Sequence, residues 1–413
     1  AICFFLLLIP LENLYVYKCS LTASTTKLFG ALLVFLVITS GSLKYISEAF
    51  RNTKGMLILL FGGIALLSIM ISNDTRSNMS AVITLWLSIV SYFVLIMMVR
   101  DIKTLNLATI ALITGGVLSV LSPFLFGTGS SGRSDILQRF GGLRGDQNEF
   151  AAMLLILIPL SLAIFLNTQR KILKLMLLTC SVILLIGLLL TYSRGGYLSF
   201  GVMMMLTMFK FVSGKNRLKI LAISIPCLII ASTIFYYTFA EEFIARMETL
   251  RFLESRESVR AEGSLSLRYQ YYFEIAPKVF AEHPVFGVGF RGFINHNPFG
   301  QVTHNTYLEV LTGSGLVGFI PFMAILYLSW REIRRVEKYA AKQKETYLWS
   351  YAQALELGFI SYFLAGIFIS LDLSKMTWLI ITLSAIIFNI SRIHFLADNR
   401  KRAESEPPHQ WAE

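Results

Sequence analysis

The hydrophobic positions of the chain form long unbroken runs, without the alternation of half-buried strands. Ser80–Met98 and Leu175–Ser193 each span nineteen residues that include no charged side chain. A helix needs about 20 apolar residues to cross a hydrocarbon core of roughly 30 Å. Both runs are too long for a buried strand. The pattern therefore predicts helices that cross a membrane.

Repetition of such runs along the whole chain predicts an all-α, polytopic membrane protein with about 12 transmembrane helices. The spans are predicted at residues 1–12, 24–40, 55–72, 80–99, 104–127, 149–168, 172–191, 195–212, 218–239, 305–330, 350–370 and 374–394. A long polar stretch separates the ninth span from the tenth, and we expect it to form a small helical subdomain. The resulting division is 1–239 for helices 1–9, 240–304 for the loop subdomain, 305–394 for helices 10–12 and 395–413 for a tail.

Composition supports this class and orients the chain. Hydrophobic residues make up 55% of the sequence and charged residues 15%, whereas soluble domains have about 25% charged residues. The net charge of +12 does not indicate nucleic-acid binding here, because basic residues collect in cytoplasmic loops. Loops on one side hold 22 Lys and Arg, against 7 in the short loops on the other side. We therefore predict cytoplasmic termini and an external loop at 240–304.

Ionisable residues are nearly absent from the interiors of the predicted spans. Glu309 lies at the outer end of its helix, and Glu356 lies towards the inner end of another. Ion-coupled transporters place acids or bases near the membrane midplane. The pattern therefore favours chemistry or binding at the outer surface over translocation. The four cysteines and five histidines have no metal-type spacing.

The first of four external segments that could carry chemistry is Arg139–Glu149. Its glycines would let a ligand approach the backbone closely, and Asp146 or Asn148 could cap the helix that follows. Arg144 fits two interpretations equally, an ordinary arginine beside the membrane or a ligand for an anion.

The second segment, Thr191–Gly196, joins two spans through a few residues. Arg194 in this turn is either a snorkelling side chain or a guanidinium held rigidly at the level of the lipid headgroups. A guanidinium in that position would suit phosphate, because its planar fork pairs with two phosphate oxygens.

The third segment, Ser266–Pro277, has Tyr269, Tyr272, Phe273 and Ala276 at intervals of three and four residues. This spacing predicts an amphipathic helix that lies on the membrane with an aromatic face. Arg268 near its start could point either way. The run from Pro284 to Gly289 predicts a turn.

The fourth segment places His304 at the start of a span, followed by the glycine-rich run Gly313–Gly318. A single histidine at such a place is commonly structural, but histidine is also the side chain best suited to general-base work near neutral pH. A base beside two or three arginines of the phosphate-binding kind suits group transfer from a pyrophosphate.

Together the four segments resemble the O-antigen ligase superfamily. This superfamily includes lipopolysaccharide O-antigen ligases, O-antigen and exopolysaccharide polymerases, and protein O-oligosaccharyltransferases. The resemblance covers about residues 139–320, and the remainder matches only in hydropathy. It rests on Arg144-Gly…Asn148, Tyr192-Ser-Arg-Gly-Gly196, Arg268 before an Ala-x-x-x-Phe helix, His283-Pro…Gly287-x-Gly289 and His304-Asn-x-x-Leu308…Gly315-Leu-x-Gly318.

The resemblance implies an inverting, metal-independent transfer from an undecaprenyl-pyrophosphate-linked glycan, without a cofactor, at the periplasmic face of the bacterial inner membrane. It implies that His304 is the general base and that Arg144 and Arg194 stabilise the departing pyrophosphate. The absence of an Asp-x-Asp motif from the sequence is consistent, because side chains then have to supply the cations. The residues expected to bind substrate are Arg268, Asn148, Tyr192, Asn305 and Arg139.

Four functions remain open at this point. The leading one is a ligase that joins the glycan to a lipid A–core acceptor. A polymerase would use a second lipid-linked glycan as acceptor with the same base and arginines. A protein O-oligosaccharyltransferase is less favoured, because the chain lacks the large extra domain of those relatives. A flippase would need a charged central cavity, which the span interiors do not offer. Membrane lipids are expected partners, and nucleic acid is not.

Overall fold

A computed structural model of the protein describes residues 2–11, 34–35, 37–39, 41–72, 75–126, 140–141, 146–211 and 263–405. Within these ranges the regular secondary structure is entirely helical, which confirms the all-α class. Six helices of the described part are long and apolar enough to cross a membrane. The predicted span at 218–239 lies outside the described residues, and so does most of that at 24–40. The count of twelve and the external subdomain stay predictions.

Thirteen α-helices make up the described part of the chain. They are α1 (Ile2–Leu8), α2 (Ile46–Arg51), α3 (Thr53–Ser68), α4 (Thr75–Met98), α5 (Ile102–Phe126), α6 (Gln147–Asn167), α7 (Lys171–Leu190), α8 (Arg194–Phe211), α9 (Gly263–Gln270), α10 (Ala276–Glu282), α11 (Thr306–Gln343), α12 (Thr346–Ala365) and α13 (Lys375–Ser405). Short 3₁₀ turns occur at Ser42–Tyr45 and Gly292–His296, and one π turn, Tyr271–Ile275, joins α9 to α10.

Helices α6 and α12 form the centre of the bundle. Most residues of both are buried, and they pack against each other along their lengths. Gly358 permits this closeness, because a Cβ atom there would lie 3.2 Å from the Cα atom of Ile156. Small residues at such contacts are a usual device of helix packing in membranes. Helix α7 lies at the rim, with most of its apolar side chains exposed or only partly buried.

Helix α11 is longer than the predicted span at 305–330, because it continues as a charged, amphipathic helix to Gln343. At a rise of 1.5 Å per residue its 38 residues exceed the thickness of a hydrocarbon core. Hydropathy alone detects only its first, apolar part. The end of the bundle at which α11 begins is called the His304 end below.

Helix α11 is broken at Gly315, whose φ of 60° and ψ of −165° are not helical. The backbone groups released by the break bind residues 284–289, called the docked segment below. This segment was predicted only as a turn. Four hydrogen bonds join the two stretches: Val288 N to Thr312 O (2.9 Å), Gly289 N to Gly313 O (2.9 Å), Leu316 N to Pro284 O (2.9 Å) and Val317 N to Val285 O (3.2 Å).

Two glycines make this contact sterically possible. A Cβ atom at Gly315 would lie 2.2 Å from the carbonyl oxygen of Val285, and one at Gly287 would lie 2.4 Å from that of Thr312. Both glycines also have positive φ angles, 60° and 66°, which other residues rarely adopt. Two of the sequence motifs, at 283–289 and 313–318, are therefore the two halves of one backbone contact.

Replacing Gly315 with alanine is expected to destabilise the protein by roughly 2–5 kcal/mol, because it combines a backbone region nearly restricted to glycine with overpacking. The measurement is the thermal midpoint of the purified protein in detergent. Gly63→Ala in α3 is the control, since no atom lies within 4 Å of a Cβ there. An equal or smaller loss for Gly315→Ala than for Gly63→Ala would contradict the steric account.

The predicted amphipathic helix is present as α9, the π turn and α10, but its aromatic face differs from the prediction. Tyr269 and Phe273 are exposed, with ring centroids 5.0 Å apart, whereas Tyr271 is fully buried and Ala276 is buried. Tyr272 is partly buried and hydrogen-bonded. The π turn adds a residue to one turn, so that the regular spacing assumed from sequence does not continue through it.

Ionic networks lie at the opposite end of the bundle. Lys54 is buried in the first turn of α3 and bonds Glu332 and Ser384. Glu332 follows the break at Gly315 by 17 residues, or roughly 26 Å of helix. A second network joins Lys210, Glu356, Glu337 and Arg334. These charges fix α3, α8, α11, α12 and α13 to one another far from His304.

Candidate active site

The described residues include six of the eight site residues expected from sequence. Asn148 lies in the first turn of α6, Arg194 is the first residue of α8 and follows Tyr192 closely, Arg268 lies in α9, and His304 and Asn305 precede α11. Arg139 and Arg144 lie outside the described residues.

His304 has a left-handed backbone conformation, with φ of 53°. This conformation is uncommon for a residue other than glycine and persists only where the surroundings enforce it. Asn305, the next residue, caps α11: its side-chain oxygen accepts hydrogen bonds from Tyr307 N (2.9 Å) and Leu308 N (3.0 Å). The imidazole is thus presented from a fixed loop at the start of a long helix.

Tyr272 connects the α9–α10 region to this loop. Its hydroxyl lies 2.8 Å from the carbonyl oxygen of His304 and 2.8 Å from that of Ile367. One hydroxyl proton serves one of these acceptors at a time. Tyr272 therefore ties the loop that carries His304 to the connection between α12 and α13.

The electrostatic surroundings of His304 favour its neutral form. Burial is the main cause that holds the pKa of the imidazole below its ordinary value, and the positive charge of Arg268 adds to it. Asp146 opposes this shift and Arg291 supports it. A neutral imidazole is the form that can accept a proton. The Asp146 effect also shows that the start of α6 lies near His304.

Asn148 and Ser193 join the start of α6 to the turn that contains Arg194. The Ser193 hydroxyl donates to Oδ1 of Asn148 (2.8 Å) and accepts a hydrogen bond from Gly196 N (3.2 Å). Gly196 lets α8 approach α6, because a Cβ atom there would lie 2.8 Å from that of Ala151. The turn with Arg194 is therefore held by side-chain and backbone contacts.

The connection between α12 and α13 completes the His304 end, and sequence reasoning did not single it out. Phe368 in this connection packs on Gly195, where an added Cβ would lie 3.0 Å away. Thr306 binds the same connection: its amide donates to Gly366 O (2.7 Å) and its hydroxyl donates to Ile369 O (2.7 Å). The starts of α6, α8 and α11 thus meet at one end of the bundle.

Three further ionisable residues beside His304 were missed from sequence or noted without a role. Glu309 and Asp372 are both buried, and Nη1 of Arg291 lies 4.0 Å from Oε1 of Glu309. Burial raises the pKa of Asp372 to about 7, with Arg291 opposing and Glu309 supporting the shift. Glu309 at the outer helix end was a visible signal, whereas the contribution of Arg291 depends on the tertiary fold.

A depression separate from these residues lies beside α10. It has a volume of about 300 Å³ and is lined by Glu274, Lys278, Glu282 and His296, among others. In the part of the chain that the structure describes, no group of three His, Cys, Asp or Glu side chains could hold a metal ion.

The comparison with protein families gives one match. A sequence model described as O-antigen ligase matches residues 179–323, a stretch that runs from within α7 to beyond the break in α11. It contains the Arg194 turn, Arg268, the docked segment and His304, while the Arg144 motif lies before it. No curated protein matches the chain. Residues 179–323 of this membrane protein are thus similar to the O-antigen ligase family.

Proposed function

We propose that the protein is an inverting, metal-independent glycosyltransferase of the O-antigen ligase type. It transfers a glycan from undecaprenyl pyrophosphate to a lipid A–core acceptor at the periplasmic face of the bacterial inner membrane. The similarity of residues 179–323 to the O-antigen ligase family supports a lipid-linked glycan as substrate. The observation that carries the proposal is His304, a largely buried imidazole kept neutral beside Arg268 and Arg291.

The proposed reaction is a single displacement. His304 takes the proton of an acceptor sugar hydroxyl, and the hydroxyl oxygen attacks the anomeric carbon of the donor. The bond between that carbon and the pyrophosphate oxygen breaks, and undecaprenyl pyrophosphate leaves with the electron pair. Attack from the side opposite the leaving group inverts the anomeric centre. The proton stays on His304 until the product departs.

Arg194 and Arg144 are proposed to stabilise the leaving pyrophosphate. A guanidinium pairs with two phosphate oxygens, and fixed cations in a site shielded from water act more strongly than in solution. Arg194 also begins helix α8, whose N-terminal dipole favours an anion. The two residues therefore oppose the negative charge that develops as the bond breaks.

The remaining proposed substrate-binding residues are Arg268, Asn148, Tyr192, Asn305 and Arg139. The side-chain oxygen of Asn148 also binds Ser193, which supports a second role in holding the Arg194 turn. The side-chain oxygen of Asn305 caps α11, which supports a second role in holding the His304 loop. The charge of Arg268 acts on His304, which supports its place beside the reacting groups.

The location of the buried charges supports an enzyme over a flippase. Lys54 pairs with Glu332 away from the His304 end. The buried Glu356, midway along α12, is paired with Lys210 and Arg334. Glu309 Oε1 and Asp372 Oδ1, which have no hydrogen-bond partner among the described residues, lie at the His304 end. This distribution is suited to chemistry at one surface.

The test is a transfer assay with purified protein in lipid nanodiscs and an undecaprenyl-pyrophosphate-linked glycan. One arm offers lipid A–core, and the other offers only a second lipid-linked glycan. The expected product is glycan on lipid A–core with an inverted anomeric centre, formed equally well in EDTA. Elongated lipid-linked glycan without a lipid A–core product would instead assign a polymerase. Loss of activity in EDTA that a divalent ion restores would contradict the metal-free reaction.

A further inference from the structure

We propose that Glu309 is a positioning residue that fixes the backbone of His304, and that Arg291 holds the Glu309 carboxylate in place. The inference rests on the proposed function, since it explains how the proposed base is kept in its working geometry.

The left-handed conformation of His304 needs support on both sides of the residue. After it, Asn305 is fixed by capping α11. Before it, Thr303 is completely buried and needs partners for its polar groups. The hydrogen bonds that fix Thr303 therefore help His304 to keep its φ of 53°.

Glu309 supplies that hold. Both the backbone N–H and the hydroxyl of Thr303 lie 2.8 Å from Oε2 of Glu309. The hydroxyl of Ser370 lies farther away, at 3.4 Å. Glu309 lies in the first turn of α11. Its hydrogen bonds to Thr303 therefore close a loop of residues 303–309, and this loop contains His304.

Arg291 faces the other oxygen of the same carboxylate. Its Nη1 lies 4.0 Å from Oε1, an ionic contact that is too long for a hydrogen bond. Within the described residues Oε1 has no hydrogen-bond partner, so Arg291 is the cation that opposes this buried charge. Asp372 also interacts electrostatically with Arg291 and Glu309 and belongs to the same group.

Arg291 links the loop of residues 303–309 to the break in α11. It follows the docked segment by two residues and has a left-handed φ of 63° just before the 3₁₀ turn Gly292–His296. The hydrogen bonds between the docked segment and α11 therefore fix the position of Arg291. This arrangement indicates a positioning role for Glu309 and Arg291, with no contact to substrate required.

Removing the carboxylate is expected to lower kcat while donor affinity stays intact. A displacement of about 1 Å in a catalytic group can cost on the order of 10²-fold in rate. We therefore expect Glu309→Ala to lower kcat by about 10²-fold and to change the donor Kd by less than about twofold. Glu309→Gln keeps an oxygen that can accept from Thr303, so it should recover most of the lost rate.

The experiment measures kcat, donor Kd and thermal midpoint for Glu309→Ala, Glu309→Gln and His304→Ala in nanodiscs. Thr303→Val is the second variant. It removes the hydroxyl, which donates to Glu309 Oε2 (2.8 Å) or Asn305 O (2.9 Å) and accepts from Asn305 N (3.2 Å), but it keeps the Thr303 amide bond to Glu309. It is expected to lower kcat by roughly tenfold at unchanged donor Kd. Its matched control is Thr312→Val, because that buried hydroxyl bonds the helix carbonyl of Leu308 (2.7 Å) and should be dispensable.

The outcomes separate this inference from the function on which it rests. Wild-type kcat in Glu309→Ala, while His304→Ala is inactive, overturns the positioning role and leaves the proposed function standing. Full activity in His304→Ala overturns the proposed function itself. If Glu309→Ala does not fold, Thr303→Val decides, and a kcat equal to that of Thr312→Val rejects the proposal.

Discussion

Replacing His304 with alanine is expected to abolish detectable glycan transfer while donor binding stays largely intact. A general base contributes about 10²–10⁴-fold to rate, and we propose no other side chain for this step. Donor affinity should persist, because the proposed phosphate contacts come from arginines. The measurement is the initial rate of transfer to lipid A–core beside equilibrium binding of the lipid-linked donor.

His304 should also make the rate of transfer depend on pH, with an acidic limb over which the rate falls as the pH falls. Burial and the charge of Arg268 lower the pKa of His304, so the base is neutral at pH 7 and is lost only as pH falls through its lowered pKa. Because Arg268 disfavours the imidazolium, Arg268→Gln should raise that pKa. The acidic limb of kcat/KM is then expected to move to higher pH, and a shift to lower pH would contradict the electrostatic assignment.

His296→Ala is the control for both measurements. This histidine lies in the same loop, but its Nδ1 is 2.9 Å from the carbonyl oxygen of Gly292 and its ring packs on His283. It lines the separate depression beside α10, so its loss should leave much of the activity. Normal turnover in His304→Ala together with an inactive His296→Ala would show that the base is misassigned.

Arg194→Lys is expected to lose most of the activity although the charge is kept. An ammonium is a point charge and cannot pair with two phosphate oxygens at once. Loss of a group that stabilises developing charge costs about 10²–10³-fold, so kcat should fall within that range. Arg144→Lys is expected to behave similarly.

The matched control is Arg170→Lys. Arg170 is exposed and lies just before the first residue of α7, whereas the Arg194 turn follows the last residue of α7. We propose no contact between Arg170 and substrate. Arg170→Lys should therefore retain wild-type kcat. Full activity in Arg194→Lys would make Arg194 a snorkelling residue instead of a ligand for pyrophosphate.

Several features of the fold could be predicted because they depend on local composition. Hydropathy located α4, α5, α6, α7 and α8 to within a few residues, except that α4 starts five residues earlier than predicted. Such runs insert according to their own apolar content, so no tertiary information was needed. The amphipathic helix predicted from its spacing within Ser266–Pro277 is part of a longer helical stretch at 263–282, but the π turn changed which aromatic side chains are buried.

Other features could not be predicted because they require two distant stretches to meet. The glycines at 287 and 315 are visible in the sequence, yet nothing local states that each makes room for the backbone of the other. The group of Arg291, Glu309 and Asp372 likewise combines residues from three separate elements. The roles of His304 and Arg194 came from family resemblance and stay proposals.

The break in α11 also bears on how the protein is made. Residues 284–289 leave the ribosome before residues 312–317, which hydrogen-bond to them in the finished structure. A broken helix whose amides and carbonyls lack partners is costly in lipid. We therefore expect membrane insertion of α11 to be coupled to docking of the preceding loop. A chain cut between the two stretches would deliver α11 to the bilayer with its backbone unpaired at Gly315.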